Sequence, residues 1–147
     1  MKIAIGCDHG AFEYKEEIKA MLMDNSHEVK DFGCYDTSAV DYPDIAAPLA
    51  KAVAAGEFER GILMCGTGIG VSIAANKING VRCALVHDCF TAKVTREHND
   101  SNVLAMGQRN MGIEVCKEIT RIWLETPFSQ IERHQRRIDK VKKLEEQ

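Results

Sequence analysis

The chain has 147 residues, 45% of them hydrophobic and 28% charged, which suits one globular domain with a sizeable core and leaves too little for two. A net charge of −3 excludes a general nucleic-acid-binding or membrane-attracted surface, so any anion must be recognised by a local cluster. No apolar run approaches the roughly 18 residues of a membrane span, and no leader pattern opens Met1-Lys2-Ile3, so a cytoplasmic location is expected.

In chain order, strand and helix patterns alternate. Lys2 to Cys7 forms a compact apolar strand, and Ala11, Tyr14, Ile18, Met21 and Leu22 then recur at helical spacing up to Asp24-Asn25. Val29 to Phe32 reads as the second strand, and Gly33 to Pro43 as a long loop. Ile45, Leu49, Ala52 and Val53 make the core stripe of a helix ended by Gly56. Ile62 to Met64 is a buried strand, followed by a helix from Val71 to Lys77. Val81 to Val86 is the fourth strand with a helix through Thr95, and Asn102 to Met106 is the fifth. Val115, Ile119, Ile122 and Trp123 mark a further helix. This alternation predicts a Rossmann-like three-layer αβα sandwich over residues 1–127, with a five-stranded, mostly parallel sheet and right-handed crossovers. After Pro127 a charged helix runs from Ile131 to about Leu144 with a narrow stripe of Ile138, Val141 and Leu144. This tail, residues 128–147 of the same domain, is too polar for the core and is expected to pack on a partner subunit rather than lie free.

Six cysteines (Cys7, Cys34, Cys65, Cys83, Cys89, Cys116) are scattered through these patterns without a C-x-x-C pair. That argues against a disulfide framework or a structural zinc site; reduced core thiols are expected, Cys83 and Cys116 above all.

In an open parallel sheet, ligands bind at the carboxyl ends of the strands. Three loops there carry chemistry. The third strand ends in Cys65-Gly66-Thr67-Gly68-Ile69-Gly70, where glycines let backbone N–H groups approach an oxyanion at the start of the next helix. A dinucleotide fingerprint would need glycine at Val71 and the first strand of its unit, and a P-loop would need Gly-Lys-Ser/Thr. A tight turn without chemistry would use the same glycines. Cys65 separates the readings, because a helix N-terminus favours a thiolate that can act as base or nucleophile. After the first strand, Asp8 and His9 place a carboxylate beside an imidazole; Asp8 can also cap the following helix. After the fifth, Arg109 puts a guanidinium on the same rim.

Two clusters lie elsewhere. His98-Asn99-Asp100 precedes the fifth strand, at the edge opposite Cys65, so His98 and Cys65 can serve one reaction only across a subunit interface; otherwise His98 is a solvated loop histidine. Arg133 and Arg137 stand four apart on one helix face and could grip one phosphate, or could form a basic face balanced by Glu132, Asp139, Glu145 and Glu146.

Gly6-Cys7-Asp8-His9-Gly10, Asp41-Tyr42-Pro43, Cys65 to Gly70 with Ala74-Ala75-Asn76-Lys77, His98-Asn99-Asp100 and Arg133-His134-Gln135 together resemble the type B ribose-5-phosphate isomerases, from Met1 to about Arg137. That family also holds the two galactose-6-phosphate isomerase subunits. The resemblance implies an aldose–ketose isomerase without metal or organic cofactor, working as a homodimer or as paired dimers. It makes Cys65 the base at C2 of the open-chain sugar and His98 the acid that opens the furanose ring. Asp8 and His9 would hold the sugar near its ring oxygen and hydroxyls, Tyr42 would line the pocket, and the Gly66, Thr67, Gly68, Ile69 and Gly70 amides would stabilise a cis-enediolate. Thr67 would pass a proton between the two oxygens, Asn99 would bind a hydroxyl, and Arg109, Arg133 and Arg137 would hold the phosphate. Some family members carry serine at the Cys65 position and a carboxylate base on the next helix; here Val71 to Lys77 offers neither Asp nor Glu. In the galactose-6-phosphate pair, as the resemblance has it, the cysteine and histidine motifs are divided between two chains, whereas this chain holds both. Ribose 5-phosphate is therefore the leading substrate, with allose 6-phosphate as a side activity. The rivals are a galactose-6-phosphate isomerase, a non-catalytic sugar-phosphate binder, and a redox protein using Cys65 with Cys7 to resolve it.

Overall fold

A computed structural model describes residues 1–146. The five strands are β1 (Lys2–Cys7), β2 (Glu28–Asp31), β3 (Arg60–Cys65), β4 (Cys83–Leu85) and β5 (Val103–Gly107), joined all parallel in the order β2-β1-β3-β5-β4. The helices are α1 (Phe12–Asp24), α2 (Tyr42–Ala54), α3 (Ile69–Ala75), α4 (Cys89–Asn99), α5 (Ile113–Glu125) and α6 (Glu132–Lys142). No helix among the described residues is long and apolar enough to cross a membrane.

Sheet order follows burial. β1, β3 and β5 are buried on both faces and occupy the middle, as near-continuous apolar runs require. β2 alternates exposed and half-buried positions, and β4 is three residues long; both are edges. One core layer joins Ile3, Ile5, Cys7, Ile62 and Met64 to α1, α4 and α5, with Trp123 at its base donating from Nε1 to Ser101 Oγ at 2.8 Å. The other joins Ala4, Leu63 and Cys65 to α2 and α3. Alternation along the strands thus places Cys7 and Cys65 on opposite faces of the sheet. Cys7 instead has Cys34 as neighbour, Sγ to Sγ 3.6 Å. The redox pairing of Cys65 with Cys7 therefore has no geometry to support it.

Several boundaries differ from the sequence pattern. The glycine turn becomes helical at Ile69 rather than Val71, because Gly68 takes a left-handed φ of 78° that starts α3 earlier. The long loop ends at Asp41, since Pro43 in the first turn suits a helix start. α4 continues past Thr95 to Asn99 and is closed by Asp100 at φ 47°, held by Arg96 at 2.8 Å and Arg82 at 3.2 Å. His98 is thus in the last turn of a helix, not in a loop, and Asp100 serves as its cap.

The tail is docked on its own chain. His134 and Ile138 are 4% and 5% exposed, whereas Ile131, Val141 and Leu144 are 42%, 50% and 63% exposed. Beyond α6, Glu145 Oε1 accepts from the Gly80 amide at 2.8 Å.

Candidate active site

The carboxyl ends of β1 and β3 adjoin, and the chain leaves them for opposite faces of the sheet: α1 packs on one and α3 on the other. A crevice opens at such a point. Cys65 ends β3 there, 5% exposed, its sulfur accepting from the Gly68 N–H at 3.0 Å. Ile69 N–H is taken by Thr67 Oγ1 at 3.3 Å. Two of the five loop amides are therefore used within the loop, and those of Gly66, Thr67 and Gly70 have no acceptor among the described residues.

Close approach explains the glycines. A Cβ on Gly66 would lie 3.1 to 3.2 Å from Arg109 Cδ, Cζ and Nε, so the guanidinium stem covers that position. The backbone fixes it: Gln108 N–H donates to Cys65 O at 3.0 Å and Arg109 N–H to Gly66 O at 2.8 Å. A Cβ on Gly10 would sit 3.1 Å from Gly66 N, and one on Gly70 would sit 2.8 Å from Tyr42 Cζ. The loops after β1, β3 and β5 and the start of α2 thus converge around Cys65. Asp8 does cap, accepting from Gly10 N–H at 2.8 Å, with its second carboxylate oxygen left over. Val40 N–H donates to His9 Nδ1 at 3.3 Å, which leaves Nε2 to carry the proton.

Beneath that loop lies a group the sequence pattern did not mark. Lys15 is fully buried, with Nζ 2.7 Å from Asp31 and 2.7 Å from the carbonyl of Cys34. Burial opposes its charge, but hydrogen bonds to Asp31 and Glu16 more than offset this and raise its pKa above the ordinary lysine value. Burial likewise leads the factors that push the Cys7 thiol far up, with Cys34 adding to it, so Cys7 is an inert core thiol. Burial alone raises Cys83 to about 12 and Cys116 to about 11.

His98, Asn99, Arg133 and Arg137 form a separate group. His98 is exposed in the last turn of α4, with its ring stacked on His134 of α6, centroids 4.3 Å apart and planes 39° apart. Asn99 gives its carbonyl to Arg82 Nε at 2.9 Å and keeps its side chain free. Arg133 and Arg137 are exposed on α6 and flank His134. Cys65 is level with Gly107 at the carboxyl end of β5, whereas His98 precedes the amino end of that strand, which is itself about 15 Å long. No hydrogen bond, ion pair or ring contact among the described residues joins the two groups. Among those residues, too, no three His, Cys, Asp or Glu side chains are grouped to hold a metal ion.

The sequence model of the ribose/galactose isomerases matches residues 3–141. The chain belongs to that family. Membership makes it an enzyme of the isomerase class. It is 45% identical over 145 residues to ribose-5-phosphate isomerase B of Escherichia coli, covering 99% of this chain and 97% of that one. Among solved structures, ribose-5-phosphate isomerase B of Clostridium thermocellum superposes with a TM-score of 0.97 at 44% identity, covering 99% of this chain and 98% of the other. The Mycoplasma genitalium enzyme with bound ribulose 5-phosphate gives 0.94 at 38% identity, covering 99% and 97%. The three-layer fold read from the alternation is that of these proteins.

Gly10 and His134 stand in the sequence motifs without a role of their own, and Gly107, Val40 and Ser129 are further contributors that the sequence pattern left without one. A Cβ on Gly107 would lie 2.5 Å from the Thr67 carbonyl carbon, so the fifth strand needs glycine where it meets the loop. The only signal for any of these was a glycine or histidine close to a residue already marked.

Proposed function

We infer that this isomerase interconverts ribose 5-phosphate and ribulose 5-phosphate, with Cys65 as the base. The observation that carries the reading is the Gly68 N–H on the Cys65 sulfur, beside three amides without acceptors and under the Arg109 guanidinium. A thiol sulfur held by that N–H beside free amides is placed to take a proton from carbon while those amides meet the charge that develops.

In the forward direction His98 gives a proton to the ring oxygen as its bond to C1 breaks, and the anomeric hydroxyl loses its proton to solvent. The Cys65 thiolate then removes the C2 proton and the electron pair moves onto O1. The Gly66, Thr67 and Gly70 amides stabilise the enediolate, Thr67 passes the O2 proton to O1, and the Cys65 thiol returns its proton to C1. Asp8, His9 and Tyr42 hold the sugar, Asn99 takes a hydroxyl, and Arg109, Arg133 and Arg137 hold the phosphate.

The separation of Cys65 from His98 supports a homodimer in which each site takes Cys65, Asp8, His9, Tyr42 and Arg109 from one subunit and His98, Asn99, Arg133 and Arg137 from the other. The exposed Val141 and Leu144 of the tail are suited to lie on that partner.

The test is isomerisation of ribose 5-phosphate by the purified chain, with and without chelator, beside Cys65→Ala. Chelator-insensitive activity lost in the variant supports the reading, and allose 6-phosphate should be turned over more slowly. Turnover of galactose 6-phosphate in preference to ribose 5-phosphate would move the chain to the other branch of its family. A folded dimer inactive on all three would be a sugar-phosphate-binding protein instead.

A further inference from the structure

We propose that His134 is a positioning residue for His98: its buried ring is a shelf that holds the His98 imidazole where it can reach the ring oxygen of a furanose substrate. The assignment rests on the ring-opening role of His98 argued above.

Helix docking alone does not call for a histidine at this position. A leucine would bury more apolar surface between α6 and α4 without stripping water from two ring nitrogens. His134 is 4% exposed, and its Nδ1 lies 2.7 Å from Ser129 Oγ. Ser129 Oγ also accepts from Ile131 N–H at 3.3 Å, which fixes the hydroxyl beside the His134 ring. Ser129 N–H in turn donates to Glu97 O at 3.1 Å, the carbonyl next to His98. A closed path of contacts thus runs from the α4 backbone through Ser129 and His134 back to the His98 ring.

The charges around the shelf disfavour its protonation, against a smaller opposing pull from the Glu97 carbonyl. Burial lowers the pKa of His134, and His98 from α4 and Arg133 and Arg137 from α6 lower it further. Lys93, one turn back on α4, is paired with Glu97 at 3.7 Å. A neutral ring can lie against His98 without competing with its protonated form. Because Arg133 and Arg137 share α6 with His134, the same contact also sets the spacing between the acid and the phosphate donors.

Ribose 5-phosphate is mostly a furanose in solution, whereas ribulose 5-phosphate, with O5 esterified, cannot close that ring. Isomerisation of the first needs His98, but exchange of a C1 hydrogen of the second with heavy water needs only Cys65 and the enediolate. For His134→Leu we expect kcat on ribose 5-phosphate to fall about thirtyfold, with C1 exchange on ribulose 5-phosphate within about threefold of wild type. His134→Phe restores a flat ring and should recover part of the loss. Ser129→Ala should show the same split at about threefold, and remains readable if His134→Leu does not fold. Loss of both reactions to the same extent, or wild-type isomerisation in His134→Leu, overturns the assignment. A wild-type chain inactive in both reactions would instead remove the substrate reading and the role of His98 together.

Discussion

The Gly68 amide points at the sulfur of Cys65 from 3.0 Å. The contact exists because Gly68 holds φ at 78°, turning its N–H back toward the strand it has just left. A Cβ there would lie 2.7 Å from Leu85 Cδ1 and 2.9 Å from the Met106 carbonyl carbon. Gly68→Ala should therefore cost about 2 kcal/mol or more of stability and, by moving the amide, lower activity by at least about tenfold. Thermal melting and isomerisation rates on the same preparation check both; a variant with wild-type melting and activity would remove the argument.

Removing the sulfur separates base from anion site. Cys65→Ala should lower turnover by about a thousandfold or more, while sugar-phosphate affinity, read by calorimetry, stays within about threefold. A parallel loss of binding and turnover would mean that the thiol positions the sugar rather than its proton.

Two defective chains should make one good site. Cys65→Ala and His98→Ala subunits, refolded together, form hybrids in which one of the two sites is intact. About a quarter of wild-type activity is then expected from a random mixture, half of whose dimers are hybrids. Verified hybrids without activity would place both residues in one subunit.

Lys15 and Asp31 pair with side chains 0% and 16% exposed, and they anchor the loop that brings Val40 to His9. Lys15→Met leaves Asp31 with a weaker partner and should destabilise by about 3 kcal/mol, with a rise in KM as the loop loosens. The pH dependence follows from both partners. Burial works against the Asp31 charge, but bonds from Lys15, Lys19 and Gly33 hold its pKa below the usual 3.8, so its contribution is present above that value and is lost as pH falls through the folded pKa. The Lys15 pKa is raised above 10.5, so its contribution is complete below that value and is lost as pH rises through the folded pKa. Wild-type melting temperature should fall at both ends of the pH scale, and Lys15→Met should flatten the alkaline fall; an unchanged alkaline limb would contradict the role.

By itself the sequence determined what is local. Apolar runs of two periods placed five strands and the helices between them, and a run of glycines after a buried strand placed Cys65 at a helix start; these depend on neighbours a few residues away. It also determined that His98 and Cys65 belong to opposite sheet edges, since one precedes a parallel strand and the other follows one. Only the tertiary structure decided which loops meet. Tyr42 lies over Gly70 because α2 and α3 share a face of the sheet, and Gly10 lies against Gly66 because β1 neighbours β3. It also decided that α4 reaches Asn99, through an αL cap on Asp100 braced by Arg96 one turn back and by Arg82 just before β4, and that His134 turns inward onto His98 while Arg133 and Arg137 stay outside. Periodicity assigns a residue to a face, but sheet order and side-chain packing choose its neighbour, and neither leaves a mark within one turn of helix or one strand.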